Sequence, residues 1–155
     1  MKIHSISIRN YRPFKELQET RLGNLATIVG KNDAGKSSIL RAIKLFFDDK
    51  PKIEADDFHD GAGPNEDMII EIAFSALPET IQIEEGVETT LKEEMLLDND
   101  GRLVIRKTYP RNDPTKVRIS LITMDFQDEN FAGLTVLNET ELNRRCRQEG
   151  IAVTR

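Results

Sequence analysis

The chain of 155 residues has no tryptophan and a single cysteine, Cys146. One cysteine cannot form an internal disulfide, which excludes a disulfide-stapled secreted scaffold and favours a reducing cytoplasm. No apolar run approaches the ~18 residues of a membrane span, and the N-terminus lacks the apolar block of a signal peptide. A net charge of −5 gives no overall attraction for nucleic acid, although a local basic face remains compatible with it. These absences leave a soluble intracellular protein, or a piece of one, long enough for a single domain core.

The first 50 residues predict a strand, a turn, a second strand and a helix. "KIHSISIRN" alternates with Ile6 and Ile8 on one face, and Pro13 favours a turn in "NYRPF". "LATIVG" is a continuous apolar run, typical of a strand buried on both faces. From Ser37 apolar residues recur at helical spacing, and the helix is expected to stop before Pro51. The positions that define this spacing are Ile39, Leu40, Ile43, Phe46 and Phe47.

Residues 66–155 are expected to form a β-rich subdomain followed by a helix. "MIIEIAF" predicts a strand that has Ile70, Ile72 and Phe74 on one face. A helix is predicted over 88–97, and the turn "DNDG" then leads into strands at "RLVIRKTY" and "VRISLITMDF". "NETELNRRCRQEG" predicts a capped helix over 138–150, with Asn138 as the N-cap and Gly150 just past the end.

The segment between the second strand and the first helix carries the chemistry. Gly30 to Ser37 satisfies G-x-x-x-x-G-K-[ST], the phosphate loop in which backbone N–H groups surround a triphosphate. The helix that follows directs its positive end at the anion, with Lys36 at the β/γ-phosphates and the Ser37 hydroxyl on Mg²⁺. The alternative is a glycine-rich turn that merely caps a core helix. The candidate nucleotide-binding residues are Gly30, Lys31, Asn32, Asp33, Ala34, Gly35, Lys36, Ser37 and Ser38.

With these residues the N-terminal 48 positions resemble the SMC/RecF/OLD branch of ABC-type ATPases. In that branch a strand begins at the first residue, an aromatic–Arg turn follows, and the phosphate loop reads G-x-N-x-x-G-K-S-S. The matching positions here are Tyr11, Arg12, Gly30, Asn32, Gly35, Lys36, Ser37 and Ser38. "IEADDFHDG" followed by "IIEIAFSAL" is most similar to OLD-type ATP-dependent endonucleases, many of which serve antiphage defence. Asp33-Ala34 departs from the small or polar pair that is frequent in the branch.

The resemblance implies an α/β fold, the N-terminal portion of an ABC-type P-loop ATPase head with an antiparallel β-subdomain. It implies ATP and Mg²⁺ as cofactors, heads that dimerise around two nucleotides, DNA as a partner of the complete protein, and a defence-system partner protein. Arg12 is expected to contact a phosphate or to report on bound nucleic acid; an exposed turn arginine is the alternative. A Toprim nuclease domain, where present, would follow residue 155.

Other parts of an ATPase site are not evident in the sequence. The segment most similar to a Walker B strand is "LITMD", which ends at Asp125. A Walker B strand ends in Asp-Glu, but Phe126 follows here, and apolar and polar residues alternate as in a half-exposed antiparallel strand. Gln127 is a candidate Q-loop ligand for Mg²⁺, and a polar residue at a strand end is the commoner reading. No serine–glycine signature motif occurs. We therefore expect 1–155 to be the front of a longer protein, with little ATP turnover by itself.

The remaining polar clusters favour structural roles. "DDFHD" offers Asp56, Asp57, His59 and Asp60 as conceivable metal ligands, but a solvated loop is favoured because the spacing matches no known calcium loop. His4 is expected to be structural, and Cys146 a packing residue. "RRCRQ" is a basic patch that could touch DNA phosphates, and an ion-paired helix face is favoured because glutamates flank it.

Three functional hypotheses follow. The first is the ATP-binding head of an OLD-like ATP-dependent endonuclease. The second is the head of a RecF- or SMC-like DNA repair or chromosome-organising ATPase. The third is a module that senses nucleotide without hydrolysing it.

Overall fold

The computed structural model describes residues 1–29, 35–84 and 86–124, together with positions 141, 144 and 147. The chain divides into two compact units, Met1–Thr123 and Met124–Arg155. In the second unit, Glu141, Arg144 and Arg147 are helical, as predicted for 138–150. The other residues of that predicted helix, Arg145 and Cys146 among them, lie outside the described residues.

The described residues of the first unit form seven strands, one α-helix and one 3₁₀ turn. In chain order they are β1 (Lys2–Tyr11), β2 (Phe14–Arg21), α1 (Lys36–Phe47), the 3₁₀ turn Ala55–Asp57, β3 (Met68–Ser75), β4 (Ile81–Glu84), β5 (Val87–Thr89), β6 (Leu103–Tyr109) and β7 (Arg118–Ile122). Five of the strands form an antiparallel sheet in the order β2-β1-β3-β6-β7, and β4 and β5 form a separate hairpin.

Helix α1 covers one face of the five-stranded sheet. The alternation of β3 directs Ile70, Ile72 and Phe74 to this face, and all three are buried, as predicted. Helix residues Ile39, Ala42 and Phe46 join the same core. The Phe46 and Phe74 ring centroids are 6.5 Å apart. The core therefore holds the helix by one apolar stripe against the middle of the sheet.

The strands predicted at β1, β3, β6 and β7 and the helix predicted at α1 are confirmed. The helix ends at Phe47, ahead of Pro51. Of the predicted apolar positions Ile39 and Phe46 are buried, whereas Leu40 and Phe47 are largely exposed. Strand β7 is antiparallel, as expected, and among the described residues it pairs only with β6. The expected half-exposed alternation is wrong, because Arg118, Ile119, Ser120 and Leu121 are all exposed.

The prediction of a buried strand at "LATIVG" is wrong for the described part of that run. Residues 26–29 belong to no strand, and Leu25 and Val29 are 91% and 87% exposed. An apolar composition gives a run a reason to be buried, but a strand also needs a neighbouring strand to take its hydrogen bonds. Among the described residues no strand pairs with this run, and only Ile28 packs against the core.

The helix predicted over 88–97 is also wrong. Residues Val87–Thr89 form β5, and the turn that follows is closed by a hydrogen bond from the Leu96 N–H to the Leu91 carbonyl oxygen at 2.9 Å. Gly86, at φ +86°, joins β4 to β5. Helix propensity is a weak preference even for leucine, lysine and glutamate, and pairing with β4 takes Glu88 and Thr89 out of the predicted helix.

Candidate functional site: the cleft at the start of helix α1

Gly35 opens α1 in a conformation that favours glycine. Its φ of +82° lies in the left-handed region, and its carbonyl oxygen accepts the N–H groups of Ser38 and Ile39 at 3.0 and 3.1 Å. A Cβ placed on Gly35 would overlap the Phe14 ring and lie 3.0 Å from Pro13 Cγ. The turn between β1 and β2 thus packs directly against the residue that begins the helix.

The first turn of α1 suits an anion. No side chain among the described residues caps the helix, and its first turn holds no acidic residue. The helix macrodipole places partial positive charge at this end. Ser37 is exposed here, and Lys36 and Ser38 are half-buried. The predicted positions Gly30, Lys31, Asn32, Asp33 and Ala34, and also Asp125 and Gln127, lie outside the described residues.

Arg12 lies in the turn between β1 and β2, as predicted, but its guanidinium is not a free surface group. Nη2 donates to Asp57 Oδ1 at 2.6 Å, and Nε donates to the Tyr11 hydroxyl at 3.1 Å. Burial opposes the charge, but these hydrogen bonds outweigh it and raise the pKa of Arg12. Burial also raises the pKa of Tyr11. The reading of Arg12 as a merely exposed turn arginine is therefore wrong.

The segment "DDFHD" lies against this turn and is not a fully solvated loop. Asp57 and Phe58 are buried, and Phe58 forms an antiparallel bridge with Tyr11. His59 Nδ1 lies 2.8 Å from the Arg12 carbonyl oxygen, which can only accept, so Nδ1 is the donor. Among the described residues no three His, Cys, Asp or Glu side chains could jointly hold a metal ion, so the structure gives no support to the alternative in which this segment supplies metal ligands.

These three segments enclose one open cleft of about 640 Å³, within the range of small-molecule sites. One wall is the beginning of α1, and the other walls are the β1–β2 turn and the loop that follows the 3₁₀ turn. The lining residues are Arg12, Pro13, Gly35, Lys36, Ser37, Ser38, Asp56, Phe58, His59 and Asp60. The structure therefore brings Arg12 together with the described part of the phosphate-loop pattern.

The residues that hold this arrangement together carry no signal in the sequence that points to this role. The sequence offers Asp57 only as a conceivable metal ligand, and it assigns no role to Phe14. No spacing rule pairs Arg12 with Asp57, which lies 45 positions further along the chain. The glycine pattern does imply a close neighbour at Gly35, but not which side chain provides it.

His4 is not among the residues that line the cleft. His4 lies on β1, and its carbonyl oxygen accepts the Leu22 N–H at 2.7 Å, which agrees with a structural role. Arg144 and Arg147 are exposed helical residues of the second unit. Within residues 1–29, 35–84 and 86–124, no helix has the length and hydropathy that spanning a bilayer requires.

The antiparallel sheet, the covering helix and the glycine-opened helix start agree with the expected fold, the N-terminal portion of an ABC-type P-loop ATPase head. The chain belongs to the AAA ATPase domain family, which it matches over residues 1–154. A solved structure from work on the ATP-driven dimerization and DNA-stimulated activation of SMC ATPases shares the fold. Its TM-score is 0.50 at 14% identity, and the alignment covers 98% of this chain and 81% of that one.

Curated relatives match about a third of the chain. The uncharacterized protein MJECL44 of Methanocaldococcus jannaschii is 39% identical over 51 residues, 33% of this chain and 15% of that protein. The DNA replication and repair protein RecF of Rickettsia bellii is 48% identical over 46 residues, 29% of this chain and 12% of RecF. The chain therefore matches only a small fraction of the length of these relatives.

Proposed function

We propose that the cleft at the start of α1 binds ATP with Mg²⁺. The observation that carries the proposal is Gly35, a left-handed residue that opens a helix without an acidic first turn, inside the G-x-x-x-x-G-K-[ST] pattern. Lys36 is assigned to the β/γ-phosphates and the Ser37 hydroxyl to Mg²⁺, because an ammonium and a hydroxyl oxygen suit those two ligands. When bound, the metal neutralises phosphate charge. Residues 30–34, with Ser38, are assigned to the rest of the phosphate loop.

Arg12 is proposed to contact a phosphate from the opposite wall of the cleft. The Arg12 side chain is 31% exposed, so it remains accessible although its guanidinium is hydrogen-bonded. Arginine keeps its charge at any relevant pH and offers five N–H donors, of which the described contacts use two. The remaining donors suit an anion that enters between Arg12 and α1.

The test is the substitution Lys36→Ala, measured by calorimetry with Mg-ATP. Loss of a charge-assisted contact worth about 1.5–3 kcal/mol should weaken binding roughly 10- to 100-fold. Lys44→Ala is the matched control, since Lys44 lies in the last turn of the same helix, far along the axis from the cleft. Unchanged affinity in the Lys36 variant, or an equal loss in both variants, would refute the assignment.

For the complete protein we propose the head of an OLD-like ATP-dependent endonuclease in antiphage defence or DNA processing, acting in the cytoplasm. The likeness of "IEADDFHDG" and "IIEIAFSAL" to that group supports it. In this proposal residues 1–50 are the strand–phosphate loop–helix part, 66–155 are the β-rich part with its C-terminal helix, and nuclease residues follow. Heads would dimerise around ATP and act on DNA, and a defence-system partner protein is possible.

A RecF- or SMC-like DNA repair ATPase is an equally supported second candidate, because RecF of Rickettsia bellii is 48% identical to this chain over 46 residues. The intact gene product, incubated with DNA and Mg-ATP, separates the two. ATP-dependent cleavage favours the endonuclease, and ATP-dependent DNA binding without cleavage favours the RecF-like protein. Nucleotide binding without any turnover by the intact product would favour a sensing module instead.

A further inference from the structure

The Asp57 carboxylate is held on both oxygens in a buried position. Oδ1 accepts Arg12 Nη2 at 2.6 Å, and Oδ2 accepts the Glu54 N–H at 3.0 Å. The Asp57 side chain is only 11% exposed. A buried carboxylate is costly unless such partners satisfy it, so its position and that of Arg12 are strongly coupled.

The backbone of Arg12 is fixed by the same loop. The Arg12 N–H donates to the Asp57 carbonyl oxygen at 2.9 Å, and the Arg12 carbonyl oxygen accepts from His59 Nδ1 at 2.8 Å. Arg12 also has φ +50°, an unfavourable value for a residue with a Cβ. Surrounding contacts must hold a residue in such a conformation, and such residues often serve a site.

The guanidinium is held at the cleft and not turned away from it. The Tyr11 hydroxyl accepts a hydrogen bond from Nε, and the Asp57 carboxylate accepts one from Nη2. Nη1 has no hydrogen bond to any described residue, while Arg12 lines the same cleft as Lys36 and Ser37. The guanidinium is planar, and the hydrogen bonds from Nε and Nη2 fix one of its edges. The N–H groups on its other side therefore point in a defined direction.

We propose that Asp57 is a positioning residue that orients Arg12 toward a phosphate of the bound nucleotide, with the Tyr11 hydroxyl as its second support. This inference depends on the proposed ATP site. Asp57 itself does not touch the ligand; it acts through Arg12.

Whether Asp57→Asn weakens or strengthens ATP binding distinguishes a positioning role from a simple electrostatic effect. Removing a carboxylate near an anion site makes the local potential more positive, so charge alone predicts that Asp57→Asn binds ATP more tightly and with a steeper salt dependence. Positioning predicts the opposite. Asp57→Asn should weaken Mg-ATP binding about fivefold or more, and its dependence on salt should become shallower, as in Arg12→Ala, because one charged contact with phosphate is lost.

Asp67→Asn is the matched control for a general loss of stability. Asp67 Oδ2 accepts Arg118 Nη2 at 2.6 Å and Oδ1 accepts the Arg111 N–H at 3.2 Å, the same kind of double support. Asp67 does not line the cleft. Its variant should lose comparable stability against urea and keep the wild-type ATP affinity. All titrations use the full 155-residue chain under conditions where circular dichroism shows the variants folded.

Tyr11→Phe is a second variant that tests the positioning of Arg12 if Asp57→Asn does not fold. It removes only the hydroxyl that accepts Arg12 Nε, and it should weaken ATP binding about twofold to threefold. Unchanged or tighter ATP binding in the folded Asp57 variant, or in Tyr11→Phe when the Asp57 variant is unfolded, overturns the positioning role.

Lys36→Ala distinguishes the failure of the positioning role from the failure of the ATP site. If that variant loses binding while the Asp57 variant does not, the ATP site stands and only the positioning role fails; if wild-type protein ignores Mg-ATP, both fail.

Discussion

Gly35→Ala tests whether the β1–β2 turn and the start of α1 are packed as tightly as the structure indicates. Alanine at φ +82° costs about 1–2 kcal/mol, because its Cβ disfavours the left-handed region. The new methyl group would also overlap the Phe14 ring and crowd Pro13 Cγ at 3.0 Å. Overpacking of this kind typically costs about 1–3 kcal/mol. Together the two effects predict a loss of roughly 2–5 kcal/mol in the free energy of unfolding.

Urea unfolding followed by circular dichroism measures this loss, and Gly101→Ala separates its two parts. Gly101 has φ +72°, but a Cβ there would meet nothing within 4 Å, so only the backbone cost of about 1–2 kcal/mol applies. In a Phe14→Ala background, Gly35→Ala should cost little more than Gly101→Ala does in the wild type. If Gly35→Ala is no more destabilising than Gly101→Ala, or if Phe14→Ala brings no relief, the packing argument is wrong.

Two further predictions concern the core. Ile72→Ala, at a fully buried position, should cost about 2–5 kcal/mol in urea unfolding, whereas Ile119→Ala on the exposed edge of β7 should cost less than about 1 kcal/mol; similar values would contradict the assigned core. Burial raises the pKa of Tyr109 above its ordinary value of about 10, so the unfolded chain releases this proton first and stability falls as the pH rises above about 10. Tyr109→Phe, which loses only a 3.4 Å hydrogen bond to the Leu45 carbonyl oxygen, should change stability little at pH 7 and reduce the alkaline loss; an unchanged pH profile would show that Tyr109 does not cause it.

Elements with a strong apolar period could be predicted from the sequence, and elements held mainly by backbone pairing could not. β3 and α1 each present a buried stripe, so their periods are visible. β2 reads "FKELQETR" and lies at the sheet edge, mostly exposed; a register shift opposite Ile6 and Ile8 further breaks its alternation. Its hydrogen bonds to β1, which composition does not encode, make it a strand.

The candidate site also has one part that the sequence predicts and one part that it does not. The glycine pattern places Gly35, Lys36 and Ser37 at a helix start because that chemistry depends on local backbone geometry. The contact between Arg12 and Asp57 depends instead on how the chain returns to β1 after α1. Tyr11 bridges to Phe58, and this pairing brings the two side chains together. No local signal in either segment specifies such a long-range contact.

The helix start is fixed by two separate sets of contacts, and they should respond differently to mutation. Ile39, Ala42 and Phe46 anchor the body of α1 to the sheet, whereas Phe14 and Pro13 contact Gly35 at its beginning. A cavity at Ile72 weakens the first set and lowers the stability of the whole unit, because the core is shared. A change at Phe14 removes a contact at the cleft itself. Substitutions at Phe14 should therefore alter nucleotide affinity by more than their effect on global stability explains, while Ile72 variants that remain folded should retain their affinity.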